Sequence, residues 1–564
     1  MMSQFLGLES HRPPNPPTAD NLNQQPAILS HDLRPLRRRR PATELPSPFI
    51  VPGDRPCPEN KTMIQGFEWY IPADFAHWRR LTKIVPSLAA LGVTSMWIPP
   101  ACKASWLTGN GYDIYDLFDL GEFDQKGGRP TKWGTKEELQ HLCQTAGANG
   151  ISILFDTVLN HKAAADFSEP ARALRVDPKD RRKLLFDKSE EIQAWTGWSF
   201  PGRGTAYSPM KWSKEHFTGI DYDDRSKQKG VWRFEGKQWA ADVDEELGNY
   251  DYLMFADIDH NHPDVRRDVF YWTSWLSRQV KLGGLRVDAI KHYSFEFLRD
   301  LVAHVHTHVD PNWFIVGEYW RQDSEFLARY LEFMGHRISL FDVQLVSNFS
   351  RISLQEHKGD LRTIFDDALV VWKPDNAVTF VVNHDTQAGQ SLETPVAPFF
   401  IPMAYALILL RVNAGLPCVF YSDLFGSTGQ NPRPDRSNFI PPTSGGAILP
   451  KMMLARQLWA YGTQVDYFAD DPQSVGFARF GHPSRSGGDG LAVVMTNAWE
   501  FKSKRMCVGR RHAGEVWTDL LKWCPGRVRI DAEGWGEFSA APRSVSVWVN
   551  ERAQGRDMVD TFVL

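Results

Sequence analysis

Two charged side chains alternate with apolar ones in a short segment of the chain, residues 283–292. Leu285 and Val287 alternate with Arg286 and Asp288, which predicts a buried β-strand whose two charged side chains point to the same side. Because a buried charge is costly unless it is paired, we expect Arg286 to pair with Asp288 and to keep it ionised. An ionised carboxylate at the end of a strand could act as a nucleophile. A purely structural ion pair is the alternative interpretation.

Three further apolar segments of strand length end in polar side chains. Residues 151–155 are followed by Asp156, Asn160 and His161, residues 314–316 by Glu318, and residues 378–382 by His384 and Asp385. Near-continuous apolar strands are typical of a parallel sheet that is covered on both faces. Polar residues at the carboxyl ends of such strands are typical of the catalytic face of a barrel.

From residue 62 onward, strand patterns alternate with helix patterns. Strands are predicted at residues 62–67, 93–98, 151–155, 284–287, 314–316, 339–341, 378–382 and 418–421. Helices are predicted between them at residues 78–91, 136–148, 264–282, 295–309 and 398–412. Eight strand–helix units predict an α/β fold, the (β/α)8 TIM barrel. The gap between the third and fourth strands is too long for a loop, so it predicts an inserted subdomain.

The pattern changes after residue 461. Short strands between turn-rich breaks are predicted at residues 474–480, 491–496, 504–508, 515–519, 528–530, 536–539 and 544–550, which is typical of an antiparallel β-sandwich. The predicted domains are therefore the barrel (59–161 and 251–461), the inserted domain (162–250) and a C-terminal β-domain (462–564). Residues 1–58 hold 12 of the 37 prolines and are predicted to be a disordered Pro/Arg-rich extension. The arginines at 37–40 are either a docking patch or a solvated charge run.

Composition places the chain among soluble globular proteins. Of its residues, 42% are hydrophobic and 23% are charged, which is ordinary for such proteins. Its length of 564 residues is enough for one large domain and one or two smaller ones. The net charge of −4 gives no reason to expect nucleic acid or an acidic membrane as partner. The N-terminus lacks the pattern of a signal peptide, no apolar run is long enough to span a membrane, and the six cysteines form no CxxC pair. We therefore expect a cytoplasmic protein with reduced thiols.

The four polar strand ends resemble, in the same order, the four signature regions of the α-amylase family of glycoside hydrolases. Residues 63–70, 111–116 and 250–259 are also similar to the bacterial liquefying type of that family. The resemblance spans about residues 62 to 549. It implies an insertion after the third strand, a C-terminal β-domain and an endo-acting, retaining hydrolase of α-1,4-glucans. The implied partners are starch- or glycogen-type polysaccharides or maltooligosaccharides, and the expected state is a monomer.

Retaining cleavage of a glycosidic bond needs a nucleophile and an acid/base carboxyl. We predict Asp288 as the nucleophile and Glu318, whose apolar neighbours suit a protonated acid, as the acid/base. The resemblance makes Asp385 the third carboxylate, which holds hydroxyls of the distorted sugar. It also implies substrate-binding roles for Tyr112 (stacking), His161 and His384 (sugar hydroxyls), Arg286 (holding Asp288), and Lys291, His292 and Trp320 (adjoining subsites), whereas Gln65 is a weaker candidate that could simply pack.

The resemblance further implies a bound calcium ion. The implied ligands are Asn160, Asp251, Asp257 and the backbone carbonyl of His292, and oxygen donors of this kind suit Ca²⁺. Such an ion would tie the inserted domain to the barrel. The alternative is that the two aspartates only cap loops. Residues 239–242 have alanine where further metal sites of the liquefying type would need aspartate, although Asp259 and Asn261 remain.

Two other functions compete with hydrolysis. A 4-α-glucanotransferase uses the same catalytic trio but passes the glucan to another sugar, so the products formed from a maltooligosaccharide separate the two activities. A non-catalytic binding protein of the same fold would be expected to have lost a carboxylate, and this chain retains all three.

Overall fold

The computed structural model of the protein describes residues 59–427, 448–485 and 489–562; the predicted extension, residues 1–58, lies outside them. Eight parallel strands close into a barrel in the order of the sequence, as predicted. The barrel strands are Met63–Gln65, Ser95–Ile98, Ser152–Thr157, Gly284–Val287, Phe314–Gly317, Ser339–Phe341, Ala377–Phe380 and Leu416–Phe420. Each of them overlaps its predicted segment, because burial on both faces requires a continuous apolar run.

Apolar side chains fill the interior of the barrel. They include Met63, Trp97, Leu154, Val316 and Val378, one from each of five strands. Gly284 of the fourth strand pairs with Phe314 of the fifth. A Cβ atom on Gly284 would stand 1.8 Å from the carbonyl oxygen of Phe314, so only glycine permits this approach.

Helices cover the outside of the barrel. His77–Ala90, Lys136–Ala148, Pro263–Gln279, Phe295–His304 and Ile401–Leu410 occupy the five predicted segments. The fourth predicted helix, residues 295–309, is an α-helix only as far as His304, because Val305–Val309 continues it as a π-helix. Unpredicted helices are Ser324–Phe333, Val343–Leu354, Leu369–Trp372, Tyr421–Phe425, Ile448–Leu458 and Arg556–Thr561. In the described part of the chain, no helix has the length and apolar character needed to cross a membrane.

The insertion between the third and fourth barrel strands is built on an antiparallel sheet. Its strands are His161–Lys162, Phe167–Asp177, Asp180–Leu184, Glu190–Gly197, Phe217–Asp223, Gln228–Phe234 and Ala256–Ile258. The first and last of these pair with each other, and His161 lies opposite Asp257. Both ends of the insertion therefore meet beside the carboxyl end of the third barrel strand.

Two antiparallel sheets form the C-terminal domain. The larger sheet contains, in spatial order, Gln464–Asp471, Ser474–Arg479, Leu491–Thr496, Ser544–Asn550, Val516–Asp519 and Val528–Arg529, and the smaller one pairs Lys502–Cys507 with Trp535–Ala540. Trp517 and Trp548 of the larger sheet share one apolar core with Met506 and Phe538 of the smaller sheet. The predicted β-sandwich is confirmed, and its first strand, Gln464–Asp471, was not predicted.

Candidate active site

Arg286 lies at the carboxyl end of the barrel and is 1% exposed. Its Nη1 donates to Oδ1 of Asp156 at 2.8 Å and to a carboxylate oxygen of Asp288, which confirms the predicted Arg286–Asp288 pair. Its Nη2 lies 3.0 Å from Oε2 of Glu318. One guanidinium group thus holds the predicted nucleophile and the predicted acid/base beside each other.

Asp156, at the end of the third barrel strand, received no role from the sequence. Besides Arg286, it accepts hydrogen bonds from Nε1 of Trp97 at 2.8 Å and from the hydroxyl of Tyr112 at 2.8 Å. The sequence does contain a feature that could have identified Asp156, since it lies at the end of an apolar strand as Asp288 does. Asp156 therefore orients both the central arginine and the predicted stacking residue Tyr112.

The carboxylates of Asp156, Asp288, Glu318 and Asp385 surround Arg286 and repel one another. Burial raises the pKa of Asp288 to about 7 against the opposing effect of Arg286, and repulsion from Glu318 adds to the rise. Burial and repulsion from Glu318 likewise raise the pKa of Asp385 well above its ordinary value. Arg286 lowers the pKa of Asp288, as expected, but burial outweighs this effect. Asp288 and Asp385 therefore bind protons more tightly than exposed aspartates do.

Aromatic rings are stacked beside the carboxylates. The ring of Tyr112 lies parallel to that of His384, with 5.0 Å between centroids, and Trp69 stacks on Tyr112 at 6.0 Å. Nε2 of Gln65 donates to Nδ1 of His384 at 3.1 Å, so that Nε2 of His384 carries the proton and faces Oδ2 of Asp385 at 3.3 Å. Gln65 thus orients His384 instead of merely packing, and Trp69 is a ring that sequence reasoning missed.

His161 contacts the backbone of the same stacked tyrosine. Its Nε2 donates to the carbonyl oxygen of Tyr112 at 2.8 Å, and burial lowers the pKa of His161 to about 4, so the ring is neutral. The structure therefore places His161 where it positions Tyr112.

The inserted domain forms one wall of the cleft. Nζ of Lys291 donates to Oε2 of Glu246 in the insertion at 2.7 Å and to the carbonyl oxygen of Trp320 at 3.2 Å. Burial lowers the pKa of His292 to about 3, and its neutral ring donates through Nδ1 to the carbonyl oxygen of Tyr250 at 2.9 Å. Lys291 and His292 therefore contact the inserted domain directly, and Trp320 is linked to it through Lys291.

The four predicted metal ligands come from segments that meet at the same place. The backbone N–H of Ile258, next to Asp257, donates to the carbonyl of Asn160 at 3.0 Å, and Tyr250, next to Asp251, bonds to His292. Burial raises the pKa of Asp251 to about 7, and burial and repulsion from Asp251 raise the pKa of Asp257 well above its ordinary value. Among the described residues, no donor reaches the buried Oδ1 of Asn160. Buried carboxylates beside an unpaired amide oxygen fit a hard cation such as Ca²⁺.

Two further acidic residues, Asp242 and Asp259, lie near Asp251 and bind groups of the protein. Oδ2 of Asp242 accepts from Oγ of Ser294 and from the backbone N–H of Glu296, both at 2.8 Å, at the start of the helix Phe295–His304. Oδ2 of Asp259 pairs with Nζ of Lys237 at 2.7 Å. Both aspartates thus have partners within the protein.

Comparison with known families decides the identity of this barrel. The family described as "Alpha amylase, catalytic domain" matches residues 74–476, and "Alpha-amylase C-terminal" matches residues 491–549. The chain belongs to the α-amylase family. It is a glycoside hydrolase of that family, and the expected resemblance is confirmed.

Relatives and solved structures agree with this identification. An α-amylase from Bacillus licheniformis is 44% identical over 492 residues, covering 87% of this chain and 93% of that protein. A cytoplasmic α-amylase from Escherichia coli K12 is 38% identical over 500 residues, covering 87% and 99%. The structure of an Anoxybacillus α-amylase shares the fold, with a TM-score of 0.57, 16% identity and coverage of 87% of this chain and 97% of that one.

Proposed function

We propose that this α-amylase-family enzyme cleaves internal α-1,4 bonds of starch- or glycogen-type glucans with retention of the anomeric configuration. The observation that carries the proposal is the guanidinium group of Arg286, which bridges Asp288 and Glu318 at the ends of adjacent barrel strands. Retaining enzymes need their two carboxyls close together, whereas inverting enzymes leave room for a water molecule between the general-base carboxylate and the sugar. A shared guanidinium favours the closer arrangement.

Each side chain then has a role in a double displacement. Asp288 attacks the anomeric carbon while Glu318 protonates the departing glycosidic oxygen, which gives a covalent glycosyl-enzyme. Glu318 next takes a proton from water, and the resulting attack on the anomeric carbon releases the sugar and frees Asp288. Tyr112 supplies a face for the sugar ring, and the Nε2–H of His384 and the carboxylate of Asp385 lie together where hydroxyls of that ring can bind.

A calcium ion belongs to this proposal as a structural cofactor. Asn160, Asp251, Asp257 and the carbonyl oxygen of His292 would hold it, and the unpaired Oδ1 of Asn160 among buried carboxylates supports this choice. When bound, the ion supplies positive charge that relieves carboxylate repulsion and links the insertion to the barrel. The chain's own residues carry out all the proton transfers.

Residence in the cytoplasm and a monomeric state are also proposals. The relative in Escherichia coli is named a cytoplasmic α-amylase, which supports the first of them. The five cysteines that the structure describes, Cys102, Cys143, Cys418, Cys507 and Cys524, are free. Fractionation of the source cells and light scattering of the purified protein test the two proposals separately.

Product analysis tests the activity. The purified enzyme should convert soluble starch and a defined maltooligosaccharide into shorter chains whose new reducing ends are initially α, as seen by proton NMR. Products longer than the starting oligosaccharide would instead establish the 4-α-glucanotransferase alternative, and initial β-anomers would contradict retention. Glu318→Gln should lower kcat/KM on the oligosaccharide by about 10²- to 10⁴-fold, the usual contribution of general acid catalysis.

A further inference from the structure

The segment that follows Glu318 alternates between the cleft and the outside of the barrel. Glu318 contacts the cleft centre, where Oε2 bonds to Arg286 and to the backbone N–H of Ala289 at 3.1 Å. Tyr319, which is fully buried, and Arg321 instead pack against Phe326 of the helix Ser324–Phe333. Because these residues are neighbours in one segment, contacts that hold Tyr319 and Arg321 on the outer side also restrict the orientation of Glu318.

Asp244 of the inserted domain binds both of these outer side chains. Its Oδ2 accepts from the hydroxyl of Tyr319 at 2.8 Å and from Nη1 of Arg321 at 2.9 Å. Its Oδ1 accepts from the backbone N–H of Glu246 at 2.9 Å, and its own backbone N–H donates to the carbonyl of Lys291 at 3.0 Å. Asp244 is 4% exposed, so these bonds are shielded from water.

The carboxylate of Asp244 is held in its ionised form. Burial by itself would raise its pKa, but Arg321 and the donated hydrogen bonds outweigh burial and lower the pKa below its ordinary value. Glu246, two residues further on, pairs with Lys291, which in turn holds the carbonyl of Trp320. The same stretch of the insertion therefore restrains three consecutive residues after Glu318: residues 319 and 321 directly through Asp244, and residue 320 through Lys291.

We infer that Asp244 is a positioning residue for acid/base catalysis, acting on Glu318 through Tyr319 and Arg321. The inference rests on the proposed acid/base role of Glu318. Its consequence is specific: loosening the segment should impair proton donation to a poor leaving group. Bond cleavage that needs no proton should be impaired much less.

Asp244→Asn is the sharpest change. The amide has one acceptor oxygen, so it can serve either the N–H of Glu246 or the Tyr319–Arg321 pair, and its NH₂ group then faces donors on the other side. Tyr319→Phe removes one of the bonds to Oδ2 and should give a smaller effect. The matched control is Asp323→Asn, because Asp323 also pairs with Arg321, at 3.2 Å, but on the solvent side. Asparagine can keep the helix cap that Asp323 provides.

The assay compares kcat/KM on two substrates at matched pH and calcium concentration. One is an unmodified maltooligosaccharide, whose leaving sugar needs a proton, and the other is a maltooligosaccharide with a 2-chloro-4-nitrophenyl aglycone, which leaves as a stable anion. Because kcat/KM ends at the first irreversible step, later hydrolysis of the glycosyl-enzyme does not contribute. Asp244→Asn should lower kcat/KM about 10- to 100-fold on the first substrate, the size expected for a small misplacement of a catalytic group. The loss on the aryl substrate should be several-fold smaller, and Asp323→Asn should behave like the parent on both.

Glu318→Gln, measured alongside, distinguishes failure of the positioning role of Asp244 from failure of the acid/base role of Glu318. If Glu318→Gln shows the substrate selectivity but Asp244→Asn loses equally on both substrates, or loses nothing, the positioning role is overturned alone. If Glu318→Gln itself loses equally on both, the acid/base assignment fails and the inference fails with it. Should Asp244→Asn not fold, judged by near-ultraviolet circular dichroism, Tyr319→Phe must show the selectivity, and its absence there overturns the inference.

Discussion

Asp288→Asn should inactivate the enzyme and, above about pH 5, stabilise its fold. Asp288 has its ordinary pKa of 3.8 in the unfolded chain, whereas burial raises its pKa to about 7 in the folded protein. Between these values the folded state binds more protons than the unfolded state, so the contribution of Asp288 to stability falls as pH rises. The native carboxylate therefore costs stability at neutral pH, where the asparagine amide carries no charge to bury.

The size of the gain follows from the same two values. The interval from 3.8 to about 7 corresponds to about 4 kcal/mol, at roughly 1.4 kcal/mol for each pH unit. Asp156 and Glu318 also interact with Arg286, so their own ionisation changes when the charge of Asp288 is removed, and this offsets part of the gain. We therefore expect the free energy of unfolding to rise by about 2 to 4 kcal/mol at pH 8. Near pH 4 the gain should vanish. A chain of this size has an unfolding entropy of about 1 kcal/mol/K, so the melting temperature should rise by about 2 to 4 °C.

Differential scanning calorimetry of parent and variant, from about pH 4 to about pH 8 at constant calcium, measures this gain. Asp180→Asn is the control: the side chain of Asp180 is partly exposed, and its hydrogen bond with Arg182 lowers its pKa to about 2. The stability that this pair contributes is lost only as the pH falls toward about 2. The difference in stability between Asp180→Asn and the parent should therefore not change between about pH 4 and about pH 8. A gain for Asp288→Asn that is constant with pH, or larger in acid, would refute the reasoning. If Asp288→Asn hydrolysed starch at a rate within tenfold of the parent, the role of Asp288 as nucleophile would be refuted.

Two further predictions concern stability. Chelation should lower the melting temperature and slow starch hydrolysis together, with added calcium restoring both, since a metal present at a hundred times its Kd contributes about 2.7 kcal/mol. Asp257→Ala should mimic chelation and no longer respond to calcium; a chelated parent that melts and works like the untreated protein, with no calcium by metal analysis, would disprove the site. Gly284→Ala should cost about 2 kcal/mol or more in a denaturant titration, because its Cβ meets the Phe314 carbonyl oxygen at 1.8 Å. Gly147→Ala, whose Cβ meets just the flexible end of Lys281, should cost nothing, and equal losses in both would contradict the packing argument.

The sequence by itself determined the barrel and most of the residues at its catalytic end. A strand buried on both faces has to be apolar along its length, so segments such as Gly284–Val287 and Ser339–Phe341 are visible without any tertiary information. Parallel strands end at one edge, so Asp288, Glu318 and Asp385 could be placed together from the polar residues that follow such runs. The helices Ser324–Phe333 and Val343–Leu354 escaped prediction although Asp323 and Asp342 cap them, a local signal that the sequence does contain.

Tertiary structure alone decided the partners and the charges. Asp156 meets Arg286 across 130 positions of sequence, and Asp244 meets Tyr319 across 75, separations at which no local pattern reveals a contact. The protonation of Asp288 was likewise beyond the sequence. The neighbouring Arg286 suggested a stable anion, whereas the folded barrel removes water from several carboxylates at once. Desolvation depends on everything that surrounds a group in space, and here it outweighs the single favourable charge that the sequence displays beside it.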